Sequence, residues 1–294
     1  MKKTIAAVVV ALSVLTACGS SSKKAASSAT TAPANTPKRI VSMSATATEM
    51  LFAIGAGKQV VAVDDQSNYP TTAPKTSLSA YQPNVEAIAG YKPDMVVISG
   101  DTKNLKESLE KLSIPVVDEE AAKTIDDSYT QLTDLGKRTG HEKAAANVVA
   151  SMKSKITDLT KGLPKRAKPL TYYHELDNTL YSVTSKTFIG QMYSLAGLQN
   201  VADAADADGS KGGYPQLSAE YLVKADPDFV FLADTKCCQQ SEATFGARPA
   251  FGALQAVKNH HVVQLDDDIA SRWGPRIVDL LAKVIDPVKA QPAA

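Results

Sequence analysis

The chain is poor in the residues that most often announce chemistry. It holds four histidines, three cysteines and one tryptophan in 294 residues. No His-Glu-x-x-His and no Gly-x-Ser-x-Gly occurs, and apart from the adjacent His260 and His261 the histidines lie far apart. The familiar zinc-protease and serine-hydrolase patterns are therefore absent. Charge of either sign is not in excess: the net charge is +1, and it becomes −1 once Lys2 and Lys3 leave with a leader. No electrostatic footprint for nucleic acid remains. Phosphate-binding loops fail as well. Gly55-Ala56-Gly57-Lys58 has Phe52 at the first Gly position of a Walker A pattern, Gln59 in place of its Ser or Thr, and no third Gly for a dinucleotide fingerprint. It reads as a helix C-cap and turn. What is present, 44% hydrophobic and 21% charged residues, suits a globular protein with room for two domains.

The first residues are an address. Lys2 and Lys3 form a positive n-region, Ile5 to Val14 an apolar h-region too short for a permanent span, and Leu15-Thr16-Ala17-Cys18 closes it. That last tetrapeptide looks like a bacterial lipobox, which implies cleavage after residue 17 and diacylation of Cys18. Gly19 to Thr36 is rich in Ser, Ala, Thr and Lys. Such a stretch cannot offset its ordering entropy, and as a flexible tether it spans on the order of 25 Å.

The remaining chain states one phrase twice. Glu86-Ala87-Ile88-Ala89-Gly90-Tyr91-Lys92-Pro93-Asp94-Met95-Val96-Val97-Ile98 aligns without a gap to Glu220-Tyr221-Leu222-Val223-Lys224-Ala225-Asp226-Pro227-Asp228-Phe229-Val230-Phe231-Leu232. Asn84 and Ser218 stand where helix N-caps belong, and the prolines end each helix. Met95–Ile98 and Phe229–Leu232 read as strands buried on both faces. A spacing of 134 residues is far too long for a solenoid and predicts two similar lobes. Further strands are expected at Ile40–Met43, Val60–Val63, Ile114–Val117, Leu170–His174, Tyr181–Thr184 and Val262–Leu265. Helices are expected at Thr48–Ile54, Lys103–Leu112, Phe188–Leu195 and Pro275–Val284. The stretch from His141 to Leu163, almost without breakers, predicts a strut between the lobes. This alternation gives an α/β fold with two Rossmann-like lobes on parallel sheets, joined by a backbone helix, with a ligand cleft between them.

Several phrases together carry a resemblance: Pro37 to Gly57, Asn68-Tyr69-Pro70, Asn84-Val85-Glu86, Lys92-Pro93-Asp94, Pro215 to Glu220, and Ser271-Arg272-Trp273-Gly274-Pro275-Arg276. Over roughly Lys38 to Val284 the chain resembles the helical-backbone (class III) periplasmic binding proteins that deliver ferric siderophores, haem or cobalamin to ABC importers. The resemblance implies a binding protein rather than an enzyme, without a cofactor, acting as a monomer tethered to the cell membrane. It implies that Glu86 and Glu220 dock on the two subunits of an ABC permease. It divides the chain into a leader at 1–17, a lipidated tether at 18–37, a first lobe at 38–140, a linking helix at 141–164 and a second lobe at 165–288.

Ligands of open α/β sheets sit beyond the carboxyl ends of the strands, and a large flat chelate needs aromatic walls with a few polar anchors. The candidates are Gln66, Tyr81, Tyr181, Tyr214, Asp268, Arg272 and Trp273. Arg272 could instead form an ion pair with a neighbouring Asp. The family's cobalamin binders hold an acid and an arginine in the segment matching Asp268 and Arg272. The cargo stays open between a ferric siderophore and cobalamin, with haem disfavoured for want of a placed axial ligand. Cys237 and Cys238, the thiols left once Cys18 is lipidated, could form a vicinal disulfide at the cleft edge, bind a soft metal, or stay reduced. A transition-metal carrier, or a metallohydrolase using His174, Glu175 and Asp177, is the rival reading.

Overall fold

The computed structural model describes residues 36–292. The leader, Cys18 and most of the expected tether lie outside them. The first sheet is built from β1 (Ile40–Met43), β2 (Val60–Val63), β3 (Met95–Ile98) and β4 (Val116–Asp118). The second is built from β5 (Thr171–Glu175), β6 (Gln199–Asn200), β7 (Phe229–Leu232) and β8 (Val262–Gln264). Both are fully parallel, in the orders β2-β1-β3-β4 and β6-β5-β7-β8. Numbered within its own lobe, each sheet therefore runs 2-1-3-4, so the sequence repeat is a repeat of topology.

The first lobe adds helices α1 (Ala45–Ala53), α2 (Val85–Gly90) and α3 (Leu105–Glu110), followed by α4 (Ile125–Thr139) and α5 (Glu142–Thr160). The second carries α6 (Phe188–Leu195), α7 (Ala219–Ala225), α8 (Glu242–Gly246), α9 (Gln255–Lys258), α10 (Asp267–Ala270) and α11 (Ile277–Lys289). Ser44 caps α1 by accepting from the Ala47 N–H at 3.2 Å, and α1 gives way to Gly55 at φ +90°, a left-handed turn that favours glycine. A Thr124/Asp127 capping box starts α4, and Gly140 at φ 74° ends it.

The repeated Pro-Asp has a structural task. Lys92 (φ 49°) and Asp226 (φ 41°) turn the chain out of α2 and α7 in a left-handed conformation. The Asp94 carboxylate then accepts from the Lys38 and Arg39 N–H groups at 2.8 and 2.9 Å, fixing the entry to β1. Asp228 does the same for β5, accepting from the Thr171 N–H at 2.7 Å and its hydroxyl at 2.9 Å.

Among the expected elements that differ, α1 begins at Ala45 rather than Thr48, and the helix expected at Lys103–Leu112 is confined to Leu105–Glu110 because Lys103 and Asn104 are left-handed, at φ 57° and 56°. Tyr181–Thr184 is not a strand of the second sheet: the Ser182 and Thr184 N–H groups donate to Pro215 and Gly213 carbonyls in the neighbouring loop, leaving only an antiparallel bridge between Tyr181 and Gln216. The fourth strand begins at Val116 rather than Ile114, after Pro115, which has no N–H for a ladder. The last helix continues past Val284 and carries Pro287 in its final turns.

In each sheet side chains alternate between a core shared by both lobes and a separate one. Ile40, Met95, Val97, Tyr172, Phe229 and Phe231 face a continuous apolar cluster that also takes residues of α1, α4, α5, α6 and α11 from both lobes. The opposite faces, with Val41 and Val96 in one lobe and Tyr173 and Val230 in the other, have separate cores. The 19-residue α5, about 28 Å long at 1.5 Å per residue, packs on α4 and α11. Because one core runs through both lobes, a wide hinge swing would expose buried apolar surface at about 25 cal/mol per Å².

Candidate ligand cleft

The carboxyl ends of β1, β2, β3, β4 and β8 converge on a cavity of about 420 Å³. Ser44 and Thr46 enter it from the start of α1, Asp64 and Gln66 from the turn after β2, and Tyr81 and Ser99 from the following loops. Asp268, Ser271, Arg272 and Trp273 close it from the second lobe. Among the expected site residues, Gln66, Tyr81, Asp268, Arg272 and Trp273 are thus brought together. Tyr181 and Tyr214 are exposed on the paired 181 and 213–216 segments and do not line this cavity. A larger depression of about 540 Å³ lies over α4 and α5 rather than at the strand ends.

From Arg272 and Asp268 in the cavity wall an ionic lattice runs outward, beyond the cavity lining, and joins the lobes. Arg272 Nη1 donates to Glu49 Oε1 and to Asn68 Oδ1, both at 2.9 Å; its Nη2 donates to the Gln66 carbonyl at 3.0 Å and to Asp268 Oδ1 at 2.9 Å. Arg276 also engages both Glu49 oxygens and stacks over the Tyr69 ring at 3.9 Å. Asn68 Nδ2 donates to Asp268 Oδ2 at 3.0 Å, and Lys236 Nζ holds Asp266 and Asp268 at 2.8 and 2.7 Å. Lys236, Arg272 and Arg276 therefore balance Glu49, Asp266 and Asp268. The ion pair of Arg272 with Asp268 is the alternative its sequence context allowed, and the partner across the lobes, Glu49, is the addition.

Glu49 belongs to no motif that marks it in the sequence. Its side chain is 2% exposed on a helix that is otherwise almost wholly apolar or hydroxylic. A carboxylate at such a position must find cations, and that is the signal that could have marked it. Behind the floor, Thr48 Oγ1 donates to Ser42 and lies 2.9 Å from Ser67 Oγ, while Ser67 in turn donates to Asp64. Burial raises the Asp64 carboxyl above its ordinary range despite that bond. Trp273 is held from outside the cavity: its Nε1 donates to Gln131 Oε1 at 2.8 Å, and the Ser128 hydroxyl donates to its carbonyl at 2.5 Å.

The remaining candidates fall elsewhere. Glu86 and Glu220 are exposed in the first turns of α2 and α7, capped by Asn84 and Ser218. Backbone N–H bonding and the Ser218 side chain lower the Glu220 carboxyl. Cys237 and Cys238 are free cysteines with Sγ atoms 2.6 Å apart. His174 and Glu175, adjacent on β5, point to opposite faces: His174 Nδ1 lies 2.7 Å from the Tyr193 hydroxyl, while Glu175 is paired bidentately with Arg248 at 2.6 and 2.8 Å. Asp177 is taken up by Thr179. Among the described residues no group of three or more His, Cys, Asp or Glu side chains could hold a metal ion.

Comparison with known proteins agrees with this architecture. The family described as "Periplasmic binding protein" matches residues 40–269. A cobalamin-binding protein of Halobacterium salinarum is 31% identical over 259 residues, covering 84% of this chain and 68% of that protein. An uncharacterized ABC transporter substrate-binding lipoprotein of Bacillus subtilis is 29% identical over 257 residues, covering 83% and 77%. The crystal structure of the periplasmic vitamin B12 binding protein of Vibrio cholerae superposes with a TM-score of 0.71 at 24% identity, covering 87% of this chain and 99% of that one.

Proposed function

The chain belongs to the periplasmic binding protein family, a family of solute binders rather than enzymes, and on that premise we propose that it captures a corrinoid, cobalamin, for an ABC importer. The observation that carries the reading is the charge balance of the cleft. The one cation among its lining residues, Arg272, is committed to Glu49 and Asp268, so a multiply anionic ferric catecholate finds no free cation there. What the cavity offers instead is hydroxyls from Ser44, Thr46, Ser99 and Ser271, the Gln66 amide and the aromatic faces of Tyr81 and Trp273. Those groups suit a large ligand of low net charge fringed with amides. None of the four histidines lines it. The cobalamin-binding relative supports the same choice.

In this reading Asp268 and Arg272 form a pre-paired polar floor, and Tyr81 stacks on the ligand. Tyr181 and Tyr214 would reach it only from outside the present cavity. Residues 38–140 and 165–288 act as the lobes and 141–164 as the link. Glu86 and Glu220, at equivalent sites, dock on the permease through charge-assisted bonds that set orientation and association rate. Cys18 carries the lipid, and two acyl chains suffice for stable anchoring. Calorimetry of the purified chain with cyanocobalamin, a ferric catecholate, a ferric hydroxamate and haem tests the assignment: a one-to-one isotherm with cyanocobalamin supports it, and tight binding of another class alone overturns it.

A further inference from the structure

The turn after β7 carries two adjacent cysteines on a pre-organised backbone, and that backbone is tied to the cleft. The Asp267 carboxylate gathers three consecutive N–H groups: Thr235 at 2.9 Å on one oxygen, Lys236 at 2.9 Å and Cys237 at 3.0 Å on the other. On the far side the Cys238 N–H donates to the Asp234 carbonyl at 3.2 Å, and the Cys238 carbonyl accepts from Gln240 Nε2 at 3.0 Å. Gln240 is held by Arg248, which is itself paired with buried Glu175. The two sulfurs are thereby set 2.6 Å apart, with Cys237 exposed and Cys238 half-buried. Lys236, next in the chain, holds Asp268, a residue of the cavity wall.

We propose that Cys237 and Cys238 are a reversible dithiol–disulfide couple whose closure stiffens the 235–240 turn and, through Asp267 and the Lys236–Asp268 pair, the second-lobe wall of the cleft. The oxidant is a disulfide. One cysteine thiolate attacks it and releases a first thiol. The second thiolate then attacks the mixed disulfide, forming the Sγ–Sγ bond and releasing a second thiol. Two electrons pass from the pair to the oxidant, and the two cysteine protons end on the released thiols. The ring so formed has eight members and includes the Cys237–Cys238 peptide. Its torsions are then no longer free, and the flanking N–H groups are held on Asp267.

The test uses the full chain treated with oxidised glutathione and needs no cargo. Peptide mapping after iodoacetamide is expected to show the peptide containing both cysteines unlabelled and lighter by two hydrogens, with both labels restored by dithiothreitol. Amide exchange is expected to slow by about fivefold in peptides covering 235–240 and also in those covering 264–273. Cys237→Ser and Cys238→Ser each keep a single glutathione adduct and show no change at 264–273. In the unaltered chain, alkylation of both Cys237 and Cys238, stable glutathione adducts on the peptide that holds them, or dimers cross-linked through it overturn the couple. Ring closure with exchange at 264–273 unchanged overturns its link to the cleft.

Discussion

The guanidinium of Arg272 lies 2.9 Å from the carboxylate of Glu49 and so binds the second lobe to the first. Their side chains are 10% and 2% exposed, so the pair is screened little by water. Removing one member leaves a buried charge behind. Glu49→Gln is expected to destabilise the chain by about 3 kcal/mol or more, measured as a fall in urea midpoint, because Arg276 loses its carboxylate partner and Arg272 keeps only Asp268. A loss below about 1 kcal/mol would mean that water takes the place of the carboxylate.

Tyr81 is 73% exposed at the mouth of the cavity and packs on little of the chain. Tyr81→Ala is therefore expected to leave the thermal midpoint unchanged while weakening cyanocobalamin binding about tenfold, the equivalent of about 1.4 kcal/mol of lost aromatic contact. Calorimetry on both proteins reads the effect. Tyr214→Ala, outside the cavity, serves as the contrast and is expected to bind like the unaltered chain.

Stability should carry a pH signature from the second lobe. Burial, reinforced by the neighbouring Glu175 carboxylate, raises the Asp234 carboxyl from 3.8 to about 7. The folded chain then holds a proton that the unfolded chain has released, so this group's contribution is lost as pH rises from about 4 to about 7. Asp234→Asn removes that loss and is expected to gain on the unaltered chain across the window, by up to about 4 kcal/mol. Glu119, pushed up to about 7 mainly by burial, acts in the same direction. His174, pushed down to about 3 by burial, acts oppositely, its contribution being lost as pH falls below about 6.5. Only the difference between variant and unaltered chain, followed by urea denaturation at pH 5 and pH 8, isolates Asp234. A difference that does not change between those pH values would refute the buried neutral acid.

Much of this was legible because the repeat is written in short, local signals. Met95–Ile98 and Phe229–Leu232 are unbroken apolar runs behind Pro-Asp, and both strands occupy those residues. The N-caps Asn84 and Ser218 likewise needed only their immediate context. The misreading of Tyr181–Thr184 has a different origin. Its apolar and hydroxylic residues suit a strand, but their hydrogen bonds are taken by Gly213 and Pro215, some thirty residues on, which no local pattern displays. The floor of the cleft was hidden for the same reason: Glu49 and Arg272 are separated by more than two hundred positions. The sequence could mark Arg272 as a candidate for the cleft, but not show that its donors are already engaged.

The paired glutamates make a prediction that separates delivery from capture. Both are exposed and neither lines the cavity. Replacing Glu86 and Glu220 together by Ala is expected to abolish uptake of labelled cobalamin in cells that rely on this chain, with the affinity of the purified protein unchanged. A matching fall in affinity would show that these residues serve the cleft rather than the permease.

The most direct measurement uses Trp273, the single tryptophan, which forms part of the cavity wall. The purified chain is titrated with cyanocobalamin while its tryptophan emission is followed with inner-filter correction. Saturable quenching at one-to-one stoichiometry and submicromolar concentration, absent with a ferric catecholate and with haem, is the expected result. Emission unmoved by cyanocobalamin but quenched by the catecholate or by haem would contradict the account, since the charge balance of the floor would then not select the cargo.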